Sequence, residues 1–312
     1  MKKSLIALAV LAASGAAMAQ SSVTLYGVAD MGLVKSDGVS FQMSGSGVMN
    51  NGTSRLGVRG VEDLGGGLKA SFNFEHGLGM ENGKGGLSGG EMWSRAAWMA
   101  LQGGFGRVQM GRTLNPSFYG IAAWELTGAA NYSATVNQFM ASMGGDVRDN
   151  SVLQYTFAAN GFSGTLGYIF KPDRGGNAKY DLNAIYAQGP VVASFIYNKV
   201  NNAKGNYALG GSYDFGSFKV AASIQNPAGA SKGFTLGATV PLGAFSITAD
   251  IARENGKGMK NTDFLLEGKY ALSKRTFAYA AYYKDGDAAP GAAEFYNTKA
   301  KSHFGVGVRH NF

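Results

Sequence analysis

The side chains of this 312-residue chain that could do chemistry are few in kind. There is no cysteine, so disulfide frameworks, thiolate metal sites and cysteine nucleophiles are excluded. The three histidines, His76, His303 and His310, show no H-E-x-x-H or other metal-ligand spacing. The glycine-rich run Gly83-Lys84-Gly85-Gly86 lacks the following helix that a phosphate cradle needs. What remains is fixed charge at even spacing. Arg55 and Arg59 flank Gly57, with Leu56 and Val58 on the opposite parity. Lys69 and Glu75 oppose Leu68, Phe72 and Phe74, and Arg95 opposes Ala96 and Trp98. Arg112 is of the same type, but the alternation slips around it and leaves its face open. On an extended backbone such residues share one face. The chemistry available to that face is electrostatic: it attracts ions of one sign and repels the other.

The elements that must carry these charges have a period of two. Phe234, Leu236, Ala238 and Val240 alternate with Thr235, Gly237 and Thr239. Phe245, Ile247, Ala249 and Ile251 alternate with Ser246, Thr248, Asp250 and Ala252. Each segment has one greasy face and one of small or polar groups, the signature of a strand. The segments run to about ten residues, the length of a tilted membrane-crossing strand, where soluble strands average about five or six. Sixteen can be counted: 22–34, 53–62, 67–76, 93–102, 105–113, 150–158, 162–170, 179–188, 190–199, 206–215, 217–226, 233–241, 243–253, 262–272, 275–284 and 301–312. Tight turns such as 64–67, 188–190 and 215–217 alternate with longer polar connections, 35–52, 77–92, 171–178, 200–205, 227–232, 254–261 and 285–300. That asymmetry belongs to outer-membrane barrels. The composition agrees: 48 glycines, 15 tyrosines and 19 phenylalanines suit a β-protein with many turns, and 6 prolines exclude collagen.

The first residues read as an export signal. Lys2 and Lys3 precede the apolar run Leu5 to Ala13, and Ala17-Met18-Ala19 has the small-residue cleavage pattern. Residues 1–19 are therefore expected to be a removed signal peptide and 20–312 the barrel domain. No later stretch has the ~18 consecutive apolar residues of a membrane helix.

In hydrocarbon no open sheet edge survives, so the first strand must pair with the last. Aromatic residues near strand ends on the greasy face, among them Phe162, Tyr180, Tyr213, Phe215, Phe218, Phe245, Phe277 and Phe312, fit interfacial girdles, although aromatics favour strands in any sheet. The expected fold is an all-β, 16-stranded antiparallel transmembrane barrel. Sixteen strands leave an aqueous lumen. An arginine facing lipid at the bilayer midplane would cost about 2–4 kcal/mol, so the charged face is assigned inward.

Particular stretches then resemble the general porins of β-proteobacteria. Ser22-Val23-Thr24-Leu25-Tyr26-Gly27-Val28 looks like that family's first strand, and Ser54 through Ala70 is similar to its most recognisable hairpin. Gly104-Phe105-Gly106-Arg107-Val108 with Gly111-Arg112, Arg148-Asp149-Asn150-Ser151 and the terminal Phe312 continue the likeness over essentially the whole mature chain. The resemblance implies a homotrimeric outer-membrane channel for small hydrophilic solutes, surrounded by lipid and lipopolysaccharide and inserted by machinery that reads Phe312. It also implies that residues 114–149 fold inward as a constriction loop. A connection of that length is usually functional on general grounds as well. Arginines matching Arg55, Arg95 and Arg148 commonly form a basic ladder in the family; Glu125, Asp146 and Asp149 on the loop would face it. A moderate anion preference follows if those charges act on passing ions; the same charges could instead solvate the lumen or brace the loop. No cofactor, metal, catalytic residue or nucleic-acid partner is implied. A surface-recognition role for loops 35–52, 77–92 and 285–300 is the alternative compatible with the same fold.

Overall fold

The computed structural model describes residues 21–85, 91–142, 147–227, 232–256, 260–286 and 301–312. The proposed signal peptide and Asp146 lie outside the described residues. Sixteen long antiparallel strands form the wall: β1 Ser22–Ser36, β2 Arg55–Gly65, β3 Leu68–Gly79, β4 Ala96–Gly103, β5 Gly106–Leu114, β6 Arg148–Ala159, β7 Phe162–Ile169, β8 Lys179–Gln188, β9 Val191–Val200, β10 Asn206–Asp214, β11 Lys219–Asn226, β12 Gly233–Leu242, β13 Phe245–Glu254, β14 Asn261–Ala271, β15 Thr276–Lys284 and β16 Ser302–Asn311. Each pairs with its sequence neighbours, and the sheet closes where β1 meets β16, from Val28↔Asn311 to Ser36↔His303. Reciprocal bonds between Gly27 and Phe312, 3.0 and 3.1 Å, finish the seam. The closure demanded by unpaired backbone in hydrocarbon is thus met.

The burial pattern is inverted relative to a soluble sheet. On β16, Phe304, Val306 and Val308 are exposed, while His303, Gly305 and Gly307 between them are buried. On β11, Ile224 is exposed and Ser223 and Gln225 are buried. Apolar side chains turned outward are at home only against lipid. Aromatic rings gather at the turn end: Phe215 stacks on Phe218 at 4.6 Å, and Phe162 meets Tyr186 at 4.6 Å. Phe277 departs from this girdle. It packs against the interior cluster under Lys269 and Arg309, because β15 turns Phe277, Tyr279, Ala281 and Tyr283 into the barrel.

Turn chemistry explains the tight connections. Between β2 and β3 the three glycines Gly65, Gly66 and Gly67 all have positive φ, 84°, 60° and 82°, which side chains would strain. The long connections differ from the sequence expectation in one place. Residues 35–52 do not simply project outward. Gln42–Ser44 pairs with the upper part of β1, continuing the line of β2, and residues 45–54 dip into the barrel, where Asn50, Asn51 and Ser54 are buried. Asp30 on β1 holds the dip by accepting from Asn50 Nδ2 at 2.9 Å, Gly52 N at 2.9 Å and Tyr279 Oη at 2.6 Å.

Candidate functional site

The third loop leaves the wall after β5 and crosses the lumen. Asn115 caps its first helix, α1 (Pro116–Ala122), by accepting from Phe118 N at 2.9 Å, and Pro116 suits the first turn because it has no N–H to satisfy. A second helix, α2, spans Ala134–Ser142. The inward side chains of the far wall receive both. Asp181 on β8 accepts from Ser117 N and Oγ at 2.9 and 2.6 Å, Asn183 Nδ2 donates to the Pro116 carbonyl at 2.7 Å, and Ser194 on β9 accepts from Trp124 Nε1 at 2.9 Å. Further along, Thr135 donates to Asp250 on β13 at 3.0 Å and Tyr132 to Glu267 on β14 at 2.6 Å. Ile121, Trp124, Val136, Phe139 and Ile196 bury their apolar surface in the same seam. Trp124 lies against Gly210, where a Cβ would come within 2.2 Å of the indole. Burial and the neighbouring Glu267 hold the Tyr132 phenol well above its ordinary range, so it stays a donor.

With one side of the lumen filled in this way, the opening is pushed against β2–β6, β16 and the first loop. It is a cavity of about 540 Å³. Arg55, Arg95, Arg148 and Arg309 form its charged wall, with Leu114 beside Arg148 across the β5–β6 pairing; Gly47, Gly52 and Thr53 of the first loop make one flank, and Phe118, Tyr119, Ala122, Asn131, Val136 and Asn137 of the third loop the remaining side. Among the described residues the lining holds no carboxylate. Glu75 meets two of the guanidiniums from the wall: Arg95 Nε at 2.6 Å and Arg55 Nε at 3.5 Å. It also accepts from Tyr26 Oη at 2.8 Å. Arg148 Nε donates to the Arg95 carbonyl at 3.0 Å, and Arg309 NH1 donates to Asn51 at 2.9 Å. Burial pushes the Tyr119 phenol up, while a hydrogen bond with Thr113 and then the charges of Arg107 and Arg148 pull it down.

The other charged residues picked from sequence lie elsewhere. Arg59 keeps the inward parity and stacks on Tyr26 at 5.0 Å, about 13 Å down the strand from Arg55. Lys69 shares the parity of Glu75 but sits near the tight turn, about 20 Å below it. Arg112 has the parity of outward-facing Met110; a bulge between Gly111 and Thr113 places it at the rim, bonded to the Ser94 carbonyl at 2.6 Å and Asn150 at 2.5 Å, and it does not line the cavity. Glu125 does not face the arginines. Its carboxylate is turned into its own loop, accepting from Thr127 Oγ1 at 2.7 Å, Ser133 Oγ at 3.0 Å and the Ala129 N–H. Asp149 is the second residue of β6, not part of the loop, and Lys179 on β8 binds it with 2.8 Å contacts at the rim.

Two cations were missed. Arg309 follows Val308 on β16 and so has the inward parity, a signal present in the alternation. Arg107 on β5 covers the Trp98 ring at 4.6 Å on the inner wall below the cavity; its parity is that of buried Gln109. Among the described residues no cluster of His, Asp or Glu could hold a metal ion.

A closed barrel, apolar outside and charged within, with a loop narrowing its lumen, defines an outer-membrane channel. Residues 5–288 match the Gram-negative porin family, and the chain belongs to it. Over 252 residues it is 38% identical to outer membrane porin protein 32 of Delftia acidovorans, covering 72% of this chain and 69% of that protein. An outer membrane porin protein of Bordetella pertussis is 34% identical over 264 residues, covering 71% of this chain and 68% of that protein. An anion-selective porin from Comamonas acidovorans superposes with a TM-score of 0.78 at 28% identity, over 94% of this chain and 100% of that one. The chain is an outer-membrane porin, a channel and not an enzyme.

Proposed function

We propose that this porin passes small hydrophilic solutes with a preference for anions, and that Arg55, Arg95, Arg148 and Arg309 set it. The observation that carries the reading is the asymmetry of the cavity: four guanidiniums on one wall, and a facing wall without a carboxylate among the described residues. In a narrow lumen with low-dielectric walls such fixed charge concentrates anions and repels cations. Arg59, Arg107 and Lys69 continue the basic surface toward the tight turns. Asp149 and Glu125 act as braces in this reading, the first by pairing with Lys179 and the second by knitting the loop to itself.

Homotrimeric assembly belongs to the same proposal. It is supported by a structural neighbour at TM-score 0.68, an outer membrane protein of Vibrio cholerae described in its trimer form. Contact with lipopolysaccharide, recognition of Phe312 by insertion machinery and cleavage after residue 19 complete it. The test of the central claim is the reversal potential of the reconstituted channel under a KCl gradient. A potential of the sign set by chloride is expected; one set by potassium refutes the reading.

A further inference from the structure

The third-loop side of the cavity is uncharged among the described residues, and part of it is apolar. Phe118, Tyr119 and Val136 of the third loop present carbon to the cavity, Leu114 adds its side chain beside Arg148, and Tyr119 remains 43% exposed with its ring edge-on to Phe118 at 6.3 Å. Hydrated inorganic ions gain nothing from these carbon faces, which offer no hydrogen bond beyond the Tyr119 hydroxyl and the neighbouring Asn131 and Asn137. We propose that the cavity selects aromatic monocarboxylates: the carboxylate is taken by the Arg95–Arg148 side while the ring lies against Tyr119 and Leu114. This rests on the anion-preferring reading above and names the class of anion.

Three features of the site fit that solute. Guanidinium groups bind carboxylate through paired, charge-assisted hydrogen bonds. The ring gains from leaving water against an apolar surface and from an aromatic partner in an edge or offset geometry. The opposite wall also rejects. A second carboxylate at the far end of the ring would be pressed on Phe118 and Val136 of the third loop, whose lining holds no cation among the described residues, which is costly. The cavity therefore discriminates by where the second end of the anion lies, and one charged end with one greasy end matches its two walls.

Block of the KCl current through the full-length channel in planar bilayers tests this with three probes: benzoate, acetate and terephthalate. Benzoate is expected to half-block at a concentration roughly five- to tenfold below acetate. Terephthalate should fall nearer acetate than benzoate. Tyr119→Ser should bring the benzoate-to-acetate ratio toward one, and Tyr119→Phe, which keeps the ring, should preserve it. Leu114→Asn provides the same readout where Tyr119→Ser yields no channels. An anion-type reversal potential with equal block by benzoate and acetate overturns this inference alone. Terephthalate blocking as well as benzoate overturns it too, as does a ratio unmoved by both loss-of-surface variants. A potassium-type reversal potential overturns the anion-preferring reading together with this one.

Discussion

Glu75 accepts from Arg95 Nε at 2.6 Å and lies 3.5 Å from Arg55 Nε, so one carboxylate on β3 offsets part of the charge of the arginine wall. Glu75→Gln removes that offset and keeps a similar shape. A unit charge about 7 Å from the ion path in a water-like medium changes the local potential by roughly 0.6 kcal/mol, or about threefold in ion concentration. That potential acts on anions and cations in opposite senses, so the anion-to-cation permeability ratio should rise by roughly the square of that factor, about sevenfold, read from the reversal potential in a KCl gradient. A fall would show that Glu75 acts chiefly by holding the guanidiniums in place.

The same arithmetic separates arginines that line the cavity from one that does not. Arg148→Ser and Arg309→Ser should each lower the anion-to-cation ratio by about sevenfold. Arg112→Ser should change it less than either, since that guanidinium is held at the rim by the Ser94 carbonyl and Asn150 and does not line the cavity. Raising the salt should shrink the difference among all four channels, because the Debye length falls from about 10 Å at 0.1 M to about 3 Å at 1 M. A large effect of Arg112→Ser with none from Arg309→Ser would invert the placement.

How much of this was legible beforehand follows from which forces act locally. Alternation is local, so the strands, their inversion and the β1–β16 closure could be read from residues such as Phe304, Val306 and Val308 alone. Arg309 obeys the same rule and was available to it. Arg112 was only half legible: the slipping alternation and Gly111, whose φ is 127°, mark the Gly111–Thr113 bulge, but the face it leaves Arg112 on is set by the pairing with β6. Glu125 could not be placed from sequence. A carboxylate on a loop goes wherever N–H groups converge, and here its own loop supplies those of Thr127 and Ala129. The inward dip of residues 45–54 depends on Asp30 and Tyr279, more than two hundred residues apart in the chain, and left no periodic trace.

Tyr132 ties the two inward loops together. It donates to Glu267 at 2.6 Å and accepts from Asn51 Nδ2 at 2.8 Å, so the first loop, the third loop and β14 meet at one hydroxyl. Tyr132→Phe leaves two buried polar groups short of a partner at a cost of about 1–3 kcal/mol. The barrel ladder is untouched, so the loss should be local. Amide hydrogen exchange at residues 126–135 should quicken by about tenfold or more, with the exchange of β8–β12 unchanged. Uniform acceleration throughout the barrel would mean that the loop is not a separate unit of stability.

The Gly210–Trp124 contact gives a coupling test of loop position. Gly210→Ala places a methyl 2.2 Å from the indole and must displace it. Trp124→Ala opens a cavity at about 3–5 kcal/mol, loosening the loop from β9 and β10. Both single variants should raise single-channel conductance or its noise. In the double variant the new methyl enters space the indole has left, so the combined effect should be less than the sum. Additive effects would place the two residues out of contact.

The outward orientation of apolar residues can be tested on a single strand. On β12, Leu236 is exposed to the outside, whereas Thr239 has the opposite parity and its hydroxyl meets Thr248 across the inner face at 2.9 Å. Leu236→Arg puts a guanidinium into hydrocarbon and should destabilise the folded barrel by about 2–4 kcal/mol near the midplane. Thr239→Arg puts the same group into the wet lumen and should cost well under half as much. Reversible urea unfolding in lipid vesicles reads both values. If the inward substitution proved the costlier of the two, the face assignment of the wall, and with it the inward direction of the arginines, would be reversed.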